Sequence, residues 1–180
     1  MSQLSKTIGK RKLKKREKKL DRDKSVQNFD TASSAVILFD TAVPDCFPAI
    51  KEFKKFLKKE EIRTSVFGFV EHKEIPQEML LWADIEFITQ KDVNWYGSPR
   101  GEIAEKYFSI VPDMLFVFCF SEHLTFEYLT RLSRAKFKIG CFTESDNDLD
   151  FMINPSGREC EVDFFIEQLK HYIKLLNPSK

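Results

Sequence analysis

The chain has 180 residues, 42% apolar and 32% charged, with eighteen phenylalanines, enough for one domain with a sizeable core. Its formal net charge of +1 hides a split: residues 1–24 hold eleven Lys or Arg against three acids, Glu17, Asp21 and Asp23, a net of +8, and the rest of the chain carries −7. The longest apolar run, 114–120, has seven residues, short of the ~20 that a membrane-spanning helix requires.

In chain order, residues 4–22 form a basic helical arm, rich in good helix formers and weakened at Gly9. At about 100° per residue, Leu4 and Ile8 fall on one side and Leu13 and Leu20 on the other, so no single apolar stripe is expected. The arm, 1–24, is therefore expected to be mobile and separate from the body. Residues 25–33 read as a linker and 34–180 as a single domain.

Within the body, 34–40 is a continuous apolar run, as in a strand covered on both faces. A helix over 48–60 follows, then a strand over 62–70, a short helical piece over 76–82 and a strand over 84–89. Further on come a helix over 102–111, a strand over 113–120, a helix over 122–135 and a strand over 137–142. A short strand over 150–153 and a helix over 161–176 close the chain. Alternating strands and helices predict an α/β, Rossmann-like three-layer fold with a mainly parallel sheet of five to six strands.

Chemistry in such a sheet is expected beyond the carboxyl ends of the strands. The candidates there are Asp40, Thr41, Glu71, His72, Gln90, Lys91, Ser121, Glu122, His123, Thr143 and Glu144. The plainer reading of these residues is solvated loops and helix caps. The first strand-to-helix turn, 40–46, has no glycine, which argues against a dinucleotide or P-loop phosphate site. The cysteines at 46, 119, 141 and 160 form no Cys-x-x-Cys, and no His/Cys cluster has zinc spacing. Neither a cofactor nor a metal is expected. The basic start lacks the apolar core of a secretory leader, so reduced thiols and a cytoplasmic setting are expected.

Two segments stand out. The first is DVNWYGSPRG, 92–101, where Asn94, Trp95 and Arg100 could form a stacking and anion-binding loop. The plainer alternative is a rigid turn pinned by Trp95 in the core. The second is RLSRAKFKIG, 131–140, whose Arg134, Lys136 and Lys138 could extend the footprint of the arm's Lys10, Arg11, Lys12, Lys14, Lys15, Arg16, Lys18 and Lys19.

These segments, with PDMLFVF at 112–118, VILFD at 36–40 and KEIP at 73–76, resemble a family of small Bacteroidota proteins of unknown function over nearly the whole chain. A fainter likeness, in LSRAK followed by a strand ending in IG, is to the acceptor-side half of heptosyltransferase-like glycosyltransferases. It implies a Rossmann-like fold only, because the second domain and the glycine-rich turn of those enzymes are missing.

The charge split then points to a non-catalytic binding protein whose arm attaches an acidic domain to a polyanion, structured RNA or the ribosome. The alternatives are an anionic membrane surface, a small enzyme or small-molecule-binding domain using the strand-end rim, and a protein partner.

Overall fold

A computed structural model describes residues 2–120, 123–142, 147–154 and 161–178. Six strands form one sheet: β1 (Ser34–Asp40), β2 (Arg63–Val70), β3 (Glu86–Thr89), β4 (Met114–Phe118), β5 (Phe137–Cys141) and β6 (Phe151–Ile153). Every neighbouring pair is parallel, and the order is β3-β2-β1-β4-β5-β6. This is the doubly wound order of a Rossmann-like fold, with the direction of winding reversing between β1 and β4.

The helices are α1 (Gln3–Glu17), α2 (Cys46–Lys59), α3 (Gly101–Ser109), α4 (Leu124–Leu132) and α5 (Val162–Leu175). One face of β1, through Ala35, Ile37 and Phe39, shares a core with α2 and α5. The other, through Val36 and Leu38, shares a core with Tyr107 of α3 and Phe126 and Leu129 of α4. Both faces are thus covered, as the unbroken apolar run of β1 requires. The helical piece expected over 76–82 is a 3-10 turn, Gln77–Leu81, following Pro76. A second 3-10 turn, Gln90–Asp92, is set by Thr89 and Asp92 in a reciprocal capping box.

The expectation of a detached arm does not hold. α1 packs against α4, with Leu13 only 3% exposed in a cluster with Leu124, Tyr128 and Leu132. The two helices run in the same sense: Lys10 pairs with Glu127 at 3.8 Å and, further along both, Glu17 pairs with Arg131 at 2.9 Å. The buried side of α1 is Ser5, Gly9 and Leu13, a stripe at i, i+4, i+8. Two of these residues are small, so the stripe escapes a search for apolar periodicity and instead lets the backbone come close. A Cβ on Gly9 would overlap the carbonyl oxygen of Tyr96 and lie 2.7 Å from Leu124 Cδ2. The fully buried Tyr128 hydroxyl donates to the Gly9 carbonyl at 2.7 Å.

Residues 25–33, expected as a linker, are also packed on the body. Phe29 and Ala32 belong to the core shared with α2 and α5. The buried Asn28 accepts from the amides of Asp30 and Thr31 and donates to the Leu176 carbonyl. Asp113 holds the start of β1: one carboxylate oxygen accepts from the backbone amides and hydroxyls of Ser33 and Ser34. Burial pushes the Asp113 carboxyl up, but Lys136 and these donors more than offset it and hold the group well below the usual carboxylate range.

Candidate functional site

Docking of α1 turns one set of cations inward and leaves another outward. Lys12 places its ammonium 4.1 Å from the centroid of the Tyr96 ring. Arg16 donates to the Ser98 hydroxyl at 3.1 Å and lies over Phe108. Arg11, Lys14, Lys15, Lys18 and Lys19 are all exposed, and no ion pair or hydrogen bond engages their side chains among the described residues. At about 100° per residue Arg11, Lys14 and Lys15 span roughly 100° of the helix on the side away from the buried stripe, and Lys18 and Lys19 follow in the turn that ends it. Lys14, Lys15 and Arg16 also occupy the last turn, where positive charge suits the helix dipole.

The seat of this helix is the loop that stood out in the sequence. Asn94 pins it: its side-chain oxygen accepts from the amides of Tyr96 and Ser98, and its carbonyl accepts from Gly97 at 3.0 Å. Val93 and Pro99 form an antiparallel bridge, and the Arg100 amide donates to the Asp92 carbonyl at 2.7 Å. Gly97 has φ of +87° and sits against the Leu124 side chain, so both its conformation and its lack of a Cβ are used. Asn94 is therefore a structural pin. Arg100 is exposed at the start of α3. Trp95 was expected in the core and is instead 64% exposed; its neighbour Tyr96 is the ring that packs inward.

The second basic segment adds little to an outward footprint, because most of its charges are used internally. Lys138 is completely buried and pairs with Asp148, and it also donates to the Arg131 carbonyl at 3.2 Å. Its position, Phe-Lys-Ile inside a strand covered on both faces, was the available sign of burial. Burial lowers the Lys138 ammonium to about 8, although Asp148 and Asp150 pull the other way. Lys136 pairs with Asp113 at 2.9 Å. Arg134 is exposed, and it donates to the Phe108 carbonyl at 3.4 Å. Arg22, nearly buried, pairs with Asp150 and donates to the carbonyls of Ala135 and Lys136, and Lys24 reaches Asp148 at 3.4 Å. This knot of charges ties the end of the arm to β5.

The strand-end rim is only partly assembled among the described residues. Ser121, Glu122, Thr143 and Glu144 lie outside them. His72 is exposed on the β2 side, its carbonyl accepting from Gln90 at 3.0 Å. Asp40 and His123 do come together at the reversal point between β1 and β4. Asp40 accepts from the Ala42 amide at 2.9 Å, and burial raises its carboxyl. His123 lies 4.8 Å from the Phe69 ring, and its Nδ1 is buried with no hydrogen-bond partner among the described residues. Burial lowers the imidazole, against the opposing pull of Glu71 and Asp40. Cys46, which opens α2 beside this turn, has its thiol pushed up to about 12 by burial and by Asp40, which makes it a poor nucleophile.

The sequence reading missed a groove at the opposite, amino end of the sheet. Lys51, Lys54, Lys55 and Lys58 line it along one side of α2, with Arg63 at the start of β2, around about 640 Å³. The spacing i, i+3, i+4, i+7 of these lysines was the legible signal. Two are already neutralised: Lys54 pairs with Asp84 at 2.7 Å and Lys55 with Glu52 at 2.6 Å.

No group of three or more His, Cys, Asp or Glu able to hold a metal occurs among the described residues. No helix among them is long and apolar enough to cross a membrane. The chain belongs to the DUF6913 family, a family of unknown function, whose sequence model matches residues 6–176 and so includes most of α1. No curated protein matches the chain.

Proposed function

We propose that this DUF6913 protein is a non-catalytic binding protein that presents the outer face of α1 to a polyanion, with structured RNA as the partner. The observation that carries this reading is the set Arg11, Lys14 and Lys15, held at fixed spacing by the docked Ser5–Gly9–Leu13 side, with Lys18 and Lys19 in the turn that follows, all exposed and engaged by no ion pair or hydrogen bond among the described residues. A free arm would give up conformational entropy on meeting phosphates, whereas a docked helix has given it up in folding. The net acidic charge of the remainder of the chain favours contact through this face.

Five phosphate contacts give log K against log salt a slope of about −3.5 to −4.5, spanning the single-strand and duplex coefficients. The test is a titration of structured RNA at several salt concentrations with the natural chain and with all five cations changed to Gln. Steep salt dependence that the five-fold variant loses supports the reading. Flat salt dependence, or equal affinity of the variant, refutes it. Stronger binding to anionic liposomes than to RNA gives the surface to a membrane instead.

A second reading rests on the Nδ1 of His123, buried and without a partner among the described residues, at the reversal point of the sheet, where open parallel sheets bind ligands. A nucleotide or sugar phosphate that raises the melting temperature of the natural chain, but not of His123→Phe, would place a small-molecule site there.

A further inference from the structure

Trp95 is an aromatic side chain on the α1 seat that the fold leaves in solvent. Its loop is not loose. Asn94 closes it from within, the Val93–Pro99 bridge closes its ends, and Gly97 rests on Leu124. The indole is propped edge-on against Tyr96, with ring centroids 5.2 Å apart and planes at 88°. Tyr96 in turn carries the Lys12 ammonium 4.1 Å from its centroid. That ammonium therefore lies no further from the indole than these two intervals end to end, about 9 Å. A rigid exposed ring beside a cation is an arrangement that single-stranded nucleic acids use, with bases on the ring faces and phosphates on the charge.

We propose that the polyanion is RNA with unpaired nucleotides, and that Trp95 stacks on an unpaired base while Lys12 and the outward cations of α1 hold the flanking phosphates. This rests on the reading of α1 as a polyanion surface and goes beyond it by naming the form of the strand. Duplex RNA keeps its bases inside the stack and offers Trp95 nothing, although it still offers phosphates to the helix. Sequence preference is weak, because a stacked ring reads the π-face that every base has.

The probes are a single-stranded RNA oligonucleotide, the duplex of the same length and vesicles rich in phosphatidylserine, titrated against the full chain. Trp82→Phe leaves Trp95 as the sole indole, so its emission reports on the loop alone. The single strand is expected to quench Trp95 and to bind about 5-fold or more tighter than the duplex. Trp95→Ala removes that preference and leaves duplex affinity and its salt slope unchanged, and Trp95→Phe restores part of it. Unchanged melting temperature in Trp95→Ala checks that the loop still seats the helix.

Equal single-strand affinity of Trp95→Ala and the natural chain overturns the stacking contact, and salt-steep duplex binding would then leave the α1 surface standing. Absence of binding to both RNAs overturns both ideas. A blue shift of Trp95 emission on vesicles, without quenching by the single strand, assigns the indole to a lipid interface and overturns the proposal.

Discussion

Gly9 gives a sign test for the docking of α1. In an exposed helix interior, Gly→Ala stabilises by about 1 kcal/mol, because glycine has more backbone freedom to lose. Here the added methyl overlaps the Tyr96 carbonyl oxygen and crowds Leu124. Overpacking of this kind costs about 1–3 kcal/mol. Gly9→Ala is therefore expected to lower stability in urea unfolding, and a rise would show that the helix stands free. Lys138 supplies a pH test. Its folded value of about 8 lies below the 10.5 of a free lysine, so between these values the unfolded chain holds a proton that the native chain has released. Stability then rises with pH across that window, by at most about 1.4 kcal/mol per unit. Arg22, Lys24, Asp148 and Asp150 surround the ammonium and remain in Lys138→Met. The gap in unfolding free energy between the natural chain and this variant should widen in favour of the natural chain from pH 8 to 10, and parallel curves would refute the assignment.

At the scale of elements, α1 is a packed part of the molecule. Removing residues 1–24 deletes Leu13 and uncovers Leu124, Tyr128 and Leu132 on α4. It also strips Arg22 and Lys24 from Asp148 and Asp150. Loss of a buried leucine alone costs about 2–5 kcal/mol. The truncated chain should therefore melt at least about 4 °C lower, at 2–4 °C per kcal/mol for a chain of this size. An unchanged midpoint would mean that the helix contributes nothing to the fold. The elements of the body were legible because β1 and β4 are unbroken apolar runs, the other strands are mostly apolar, and the helices α2 to α5 repeat an apolar face. The docking of α1 was not, because its buried stripe is written in Ser5 and Gly9, which score as neither apolar nor periodic. Trp95 and Tyr96 are adjacent and similar in type, and only the turn around Asn94 decides which one faces inward.

At the scale of the whole molecule, alternation of strand and helix implied a parallel sheet, but the order β3-β2-β1-β4-β5-β6 depends on contacts between segments far apart in sequence. The split of charge was visible in the order of the residues alone. Its geometry was not: Arg22, Lys136 and Lys138 are spent on internal pairs, and the arm's outward cations lie along one side of α1 and in the turn that ends it.

The seat of α1 has a consequence in time. The Tyr128 hydroxyl and the Gly9 carbonyl that it holds are 119 residues apart in the chain. Synthesis at ~5–20 residues per second makes α1 wait roughly 6–24 s before α4 leaves the ribosome. Throughout that interval the basic α1 stretch of the nascent chain lacks the α4 side chains on which it comes to rest. Completion of α4, rather than formation of α1, is the event that gives the row of cations a fixed direction.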